Sequence, residues 1–383
     1  MRSDTMDFRW DPYLLIKNNE YDLFWKEHLG NKDRKILFIM GKGFDLRMNL
    51  TLQRICATSP KCNIECLLIE FDEGRNSPSA KYKPYVDENV KELNEILKGF
   101  GTIKKQQIKL WANDQGKKRR ISSREASNIF PDFNSLKDYT DIIVDVSSLP
   151  RGIYFSLIGK LLYLLDKYDS TSAINFFVLA AENAAMDSLI KETGIDEDID
   201  YLTGFGGRID LEIGSPLIWL PILGEDKRAY IQRAYTFINP SELCPILPFP
   251  AKNPRRGDKL ITDYHDLLFD ELRVESQNIM YVAEQNPFDT YRKLSQVIKH
   301  YKKSMQTLGD CKTAISSFSS KLLSIGALMA AYEFNYGPDS PKGVGVVNVD
   351  CLGYDIDNEE LFKNLKNESE LFVIWLAGYP YVK

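Results

Sequence analysis

Histidine is scarce in this chain, with 3 among 383 residues, and no Gly-x-Ser-x-Gly elbow accompanies any of them. That excludes the usual serine–histidine–acid hydrolase. His265 falls in a helical stretch, and His28 and His300 fall on charged helix faces, where solvated side chains are expected. Cysteine is also sparse. The six thiols (Cys56, Cys62, Cys66, Cys244, Cys311, Cys351) are too few for a disulfide scaffold of this size, which fits a reducing cytoplasm. Cys56, Cys62 and Cys66 match no common zinc spacing, so no metal is expected and they read as small core residues flanking a strand. No cofactor can be named from the sequence.

Long apolar runs are missing. The longest late in the chain, residues 322–331, is about half the ~20 residues a membrane helix needs, and a lysine precedes it. The amino-terminal twenty residues carry scattered charges and no signal-peptide core, so neither membrane contact nor secretion is expected. A net charge of −5 gives no global basic field for nucleic acid, which leaves only local patches to make such a contact. Internal repeats and low-complexity tracts are not visible.

What the chain does have is a 44% hydrophobic composition, enough for a large core, and a recurring grammar of apolar run, polar turn and helix. Short continuous apolar runs at 35–40, 66–71, 141–145, 175–179, 216–223, 278–282, 344–349 and 371–375 suit strands buried on both faces. Helical stretches at 153–165, 291–305 and 322–331 follow several of them. Strands alternating with helices predict an α/β fold, doubly wound around a largely parallel, Rossmann-like sheet with helices on both faces. Residues 1–34 read as a helical extension, 35–73 with 140–383 as the α/β core, and 74–139 as a basic helical and loop insertion. Gly204, Gly206, Gly207 and Gly214 mark a place near 200–215 where two lobes could meet. The proline-rich stretch 238–258 predicts a long structured loop.

In open α/β sheets ligands bind beyond the carboxyl ends of the strands, so the residues after each apolar run are the candidates. The first set is Gly41, Lys42, Gly43, Asp45 and Arg47, a glycine turn with charge ahead of a helix that could receive an anion. It lacks the Gly-Lys-Ser/Thr of a phosphate loop and the third glycine of the dinucleotide fingerprint, where Leu46 stands. Glu70 and Asp72 could hold a ribose, and an Asp45–Arg47 ion pair is the plainer reading of the turn. The second set is Asp145, Ser147, Ser148 and Arg151, in which the serines serve equally as helix caps. The third is Ser319, Ser320 and Lys321 at the start of a small-residue helix, a cradle for phosphate or again a cap.

Carboxylates follow several runs. Asp145, Glu182, Glu225 and Glu284 are the candidate acids and bases, with Asn286 beside the last as a ligand contact. They require convergence, which a sequence does not display. Lys117, Lys118, Arg119 and Arg120, with Trp111 nearby, and Arg255 with Arg256 are the candidate nucleic-acid contacts.

Three functions are compatible with these residues. The favoured one is binding of a small anionic, nucleotide-like ligand at the strand ends, with or without turnover of a nucleotide or nucleotide sugar. The second is a non-catalytic nucleotide sensor or a partner-binding subunit of a multiprotein system, and the third a nucleic-acid-interacting protein using the basic insertion. Whether the chain is an enzyme is left open by its residues.

Overall fold

The computed structural model describes residues 8–30, 34–58, 62–71, 77–114, 117–167, 174–206, 209, 214–337 and 343–381. Asp72, Gly207 and the side chain of Lys117 lie outside the described residues. Contacts divide the chain into two compact units: a first unit of residues 13–196 and 350–381, and a second of residues 8–12 and 197–349.

The chain enters the first unit through β1 (Leu14–Lys17), α1 (Asn18–Leu29), β2 (Lys35–Gly41), α2 (Leu50–Thr58), β3 (Asn63–Phe71), α3 (Lys83–Leu97) and β4 (Gly101–Ile108). It continues through β5 (Trp111–Asp114), β6 (Lys117–Arg120), α4 (Ser122–Ser127), β7 (Asp141–Asp145), α5 (Arg151–Lys167), β8 (Asn175–Glu182), α6 (Ala184–Leu189) and β9 (Ile190–Ile195). The second unit follows: β10 (Asp200–Tyr201), β11 (Leu217–Ile222), α7 (Arg228–Ile238), β12 (Glu242–Leu243), β13 (Ile246–Pro248), α8 (Arg256–Asp263), β14 (Met280–Val282), α9 (Pro287–Met305), β15 (Lys312–Ser317), α10 (Lys321–Tyr336) and β16 (Val344–Asn348). The chain then returns to the first unit as β17 (Cys351–Ile356), α11 (Glu359–Asn364) and β18 (Glu370–Ala377).

The doubly wound, largely parallel arrangement is present, and it occurs twice. In the first unit the sheet runs β1-β18-β8-β7-β2-β3-β4, in which β8, β7, β2, β3 and β4 are parallel and β18 is antiparallel to β8. In the second it runs β10-β16-β15-β11-β13-β14, in which all but β10 are parallel. With β12 and β13 counted as one strand, since both pair with β11 in parallel, numbering the parallel strands within each unit gives the same order, 3-2-1-4-5, that of a Rossmann-like sheet, followed by an antiparallel strand beside strand 5.

Strand composition explains the burial. Ile36, Phe38 and Met40 of β2 join Cys66, Ile143, Phe177 and Val373 in a core with α1, α2 and α3. The alternate residues Leu37, Ile39, Ile142, Val144, Phe176 and Val178 are equally buried on the opposite face. There α5 packs, and eleven of its residues are buried, so helices cover both faces. Cys56, Cys62 and Cys66 belong to the first of these cores.

Several elements depart from expectation. Residues 101–108, within the stretch read as a basic insertion, form the edge strand β4 of the main sheet. Its charged sequence, GTIKKQQI, hides a strand whose outer side is solvated, and Lys104 and Lys105 pair with Glu65 and Glu70 on β3. The proline-rich stretch contains the short strands β12 and β13. His28 is not solvated: it lies among Phe24, Trp25, Phe177 and Trp375, and its Nε2 is 2.7 Å from Asp141 Oδ1 at the amino end of β7. The charged neighbours of His28 face outward while its own ring faces the core.

Residues 8–12 dock on the second unit. Trp10 is fully buried against Tyr291, whose hydroxyl accepts from the Arg9 amide at 3.0 Å, and Asp11 pairs with Arg292. No helix among the described residues is long and apolar enough to cross a membrane.

Candidate functional site

Each sheet has a switch point where crossovers from its first strand leave in opposite directions, between β2 and β7 in the first unit and between β11 and β15 in the second. Some of the residues selected from sequence lie at these two places, and others do not. Arg47 and Arg151 belong to the first unit and Lys321 to the second, so each switch point has its own set.

At the β2/β7 point the chain closes on itself. A side chain at Gly41 would lie 2.7 Å from the Leu149 side chain and 2.9 Å from the Ser148 carbonyl, so the close approach of the two loops requires glycine. The Ser148 hydroxyl donates to the Gly41 carbonyl at 2.7 Å. Asp145 is buried and accepts from the Ser147 amide at 2.7 Å and from the Thr51 hydroxyl, while Ser147 Oγ accepts from the Ala181 amide at 2.9 Å. Asn89 of α3 donates to the carbonyls of Gly43 and Asp45 at 3.0 and 2.9 Å, pinning the glycine turn.

Arg47 is enclosed, with its side chain 3% exposed. It donates to both oxygens of Asp45 at 3.0 and 2.7 Å and to Asp187 at 2.7 Å. These carboxylates outweigh the effect of burial, which alone would lower its pKa, and hold the guanidinium firmly charged. Lys42 pairs with Glu70 at 3.0 Å. Arg151 opens α5 beside Tyr154, Glu192 and Tyr354, and Glu182 closes β8 opposite Glu370. Asp145, Ser147, Ser148 and Gly41 are therefore brought together, but by bonds to one another, to α2 and to β8.

The β11/β15 point is organised around one arginine. Arg256, the first residue of α8, donates from Nε and Nη2 to the two oxygens of Glu225 at 2.7 Å each, and from Nη1 to Glu284. Its Nη2 is also 3.4 Å from Ser319 Oγ. Glu225 follows β11, Glu284 follows β14 and Ser319 follows β15, so residues from three strand ends converge on α8. Burial would raise the Glu225 carboxyl, but Arg256, through hydrogen bonding and charge, and then Lys259 hold it below the ordinary value. The arginine is raised in turn by Glu225 and Glu284 against the opposing effect of burial.

The loops holding these groups are fixed by the chain itself. Any side chain at Gly224 would overlap the Phe318 carbonyl, which places the β11 and β15 loops in direct backbone contact. Tyr264 donates to the Gly224 carbonyl at 2.6 Å and accepts from the Lys227 amide at 2.8 Å, and burial pushes its pKa up to about 12. The Lys252 amide donates to Glu284 at 2.6 Å. Ser320 caps α10 through the Leu323 amide at 3.4 Å, and Lys321 is the first residue of that helix. Asn286 caps α9 by accepting from the Phe288 and Asp289 amides at 3.1 and 3.3 Å.

The basic candidates divide. Arg120 is held by Asp196 and Asp350 at 2.9 Å each, and Asp196 also accepts from Trp111 Nε1 at 3.0 Å. Lys118 lies 3.8 Å above the Trp111 ring, and Arg119 and Arg255 are exposed. Among the described residues, no group of three or more His, Cys, Asp or Glu is placed to hold a metal ion.

Tyr264, Asn89, Thr51 and Asp187 contribute to these two points without being legible beforehand. They reach them from helices remote in sequence, and no local pattern announces it.

No protein-family model matches the chain, and no curated protein matches it. Among solved structures it is similar to a universal stress protein from Archaeoglobus fulgidus DSM 4304, at 10% identity over 82% of this chain and 96% of that one, with a TM-score of 0.21. UDP-GlcNAc 2-epimerases from Methanocaldococcus jannaschii and, bound to UDP-GlcNAc, from Neisseria meningitidis are 10% and 12% identical. The matches cover 87% and 74% of this chain and 92% and 77% of those, with TM-scores of 0.21 and 0.20. At such scores the reading of the site rests on its own geometry.

Proposed function

We propose that the second unit binds a small anionic, nucleotide-like ligand at the carboxyl ends of β11, β14 and β15. The observation that carries this reading is the convergence of Glu225, Glu284 and Ser319 on Arg256 at the switch point. Arg256, with Ser319, Ser320 and Lys321 at the start of the 16-residue helix α10, takes the anionic group. The free lone pairs of Glu284 accept a sugar hydroxyl.

Glu225 is held ionised by Arg256, so it is suited to accept hydrogen bonds and unsuited to donate a proton near neutral pH. This favours ligand recognition over acid catalysis at that residue. The first unit, in which Arg47 and Asp145 are engaged by the chain's own groups, supports the fold.

The test is thermal unfolding against nucleoside mono- and diphosphates, nucleotide sugars and sugar phosphates. A ligand at ~100 times its dissociation constant stabilises by about 2.7 kcal/mol. A selective rise that disappears in Arg256→Ala and persists in Lys118→Ala is expected. The reading fails if no compound stabilises the protein, or if the rise survives in Arg256→Ala.

A further inference from the structure

The two carboxylates on Arg256 are held differently. Glu284 is 12% exposed, receives the Lys252 amide and donates its own amide to the Pro250 carbonyl at 2.9 Å. Glu225 is 41% exposed, and it is followed by Asp226 in the left-handed backbone region, at φ 58°. Yet it is Glu225 that takes the Nε and Nη2 edge of the guanidinium, the two-pronged edge on which a phosphate or carboxylate docks.

We infer that Glu225 is a built-in competitor for the ligand's anionic group: it occupies the docking edge of Arg256 in the free protein and yields it when the ligand binds. This rests on the proposed site and adds its regulation. Glu284 stays on Nη1 and keeps the arginine in place during the exchange. Lys259, which lies one turn along α8 from Arg256 and already acts on Glu225 through its charge, receives the displaced carboxylate. Both partners of the released pair reach water, so the exchange leaves no buried charge uncompensated.

The ligand edge then has a stated chemistry. Any group with two coplanar anionic oxygens fits it, and a phosphate ester, a pyrophosphate and a carboxylate differ in how far they reach toward Ser319. The threshold for binding is set by the carboxylate at 225.

Titration calorimetry with inorganic pyrophosphate as the probe tests this in the full chain. Glu225→Gln and, independently, Glu225→Ala are expected to bind pyrophosphate roughly tenfold tighter than the unmodified protein, an energy of about 1.4 kcal/mol. Asp226→Asn, which removes the same charge one residue away, is the control and is expected to gain less than about threefold, on the order of 0.65 kcal/mol. Unchanged or weaker binding in both Glu225 variants, with binding still lost in Arg256→Ala, overturns the competitor role and leaves the site standing. Equal gains in Glu225→Gln and Asp226→Asn overturn it as well, because bulk charge would then account for the effect. Absence of binding in every variant, or binding unaffected by Arg256→Ala, removes the site itself.

Discussion

The two units share a strand order and differ in what they do with an arginine at the same end of the sheet. In both, a glycine ends or follows the first strand and abuts the loop after the fourth: Gly41 against Ser148 and Leu149, Gly224 against Phe318 and Ser319. In the first unit Arg47 is sealed, 3% exposed, between Asp45 and Asp187. In the second Arg256 is 15% exposed, and its carboxylates match those of Arg47, one nearly enclosed (Glu284, like Asp45) and one open (Glu225, like Asp187). The same topology thus yields two arginines with similar partners, one shut off from solvent and one that solvent reaches.

That contrast predicts its own largest effect. Arg47→Ala leaves Asp45 enclosed without its partner and is expected to destabilise by about 3–5 kcal/mol, the usual penalty for an uncompensated buried charge. Arg256→Ala also leaves a nearly enclosed carboxylate, Glu284, but removes the more accessible and less completely bonded arginine, and is expected to cost less, about 1–3 kcal/mol. Urea unfolding of both variants measures the difference, and equal losses would break the distinction between a sealed and an accessible arginine.

The glycines sharpen the common part. Gly224→Ala drives a methyl group into the Phe318 backbone carbonyl, whereas Gly41→Ala meets a side chain that can shift as well as the Ser148 carbonyl. Both are expected to destabilise, by about 1–3 kcal/mol for overpacking of this kind, with the larger loss at 224. A larger loss at 41 would mean that the two switch points are not built alike.

The smallest effect concerns acid. The fourth parallel strand begins with buried Asp141 in the first unit and buried Lys312 in the second. Burial alone would raise the Asp141 carboxyl, but His28, then Thr140 and Arg34, outweigh it and hold it below its ordinary value. A carboxyl lowered in the folded state gives stability above its unfolded pKa of about 3.9 that is lost as pH falls through the folded value. Below pH ~4 the first unit therefore loses this stability. Asp141→Asn is expected to be less stable at neutral pH and to show a flatter acid limb, measured by near-UV circular dichroism. An acid limb of unchanged steepness would place the sensitivity elsewhere.

The sequence revealed the strands that form continuous apolar runs, as parallel strands buried on both faces usually do. It hid β15, whose Lys-Thr-Ala-Ile-Ser-Ser carries hydroxyls instead. Burial there is made tolerable by hydrogen bonds no local pattern announces, Trp219 Nε1 to Ser316 at 3.1 Å and Ser317 to Ser324 at 2.8 Å. With β15 absent from the predicted strands, the switch point of the second sheet could not be seen, and Ser319 and Ser320 stood without the strand that places them. The carboxylates were nameable at strand ends, but their meeting on Arg256 depends on α8, which enters from the proline-rich stretch. The duplication was invisible for a related reason: the shared element is a contact at Gly41 and Gly224, not a shared string of residues.

Residues 8–12 have one more consequence, in the time it takes to make the chain. Trp10 leaves the ribosome well before the tyrosine that buries it, Tyr291, which follows Arg9 by 282 positions. At 5–20 residues per second that interval is roughly 15–55 seconds. The whole stretch 13–196 is synthesised in between, so the first unit's parallel strands can pair while the amino-terminal tryptophan still waits for its socket.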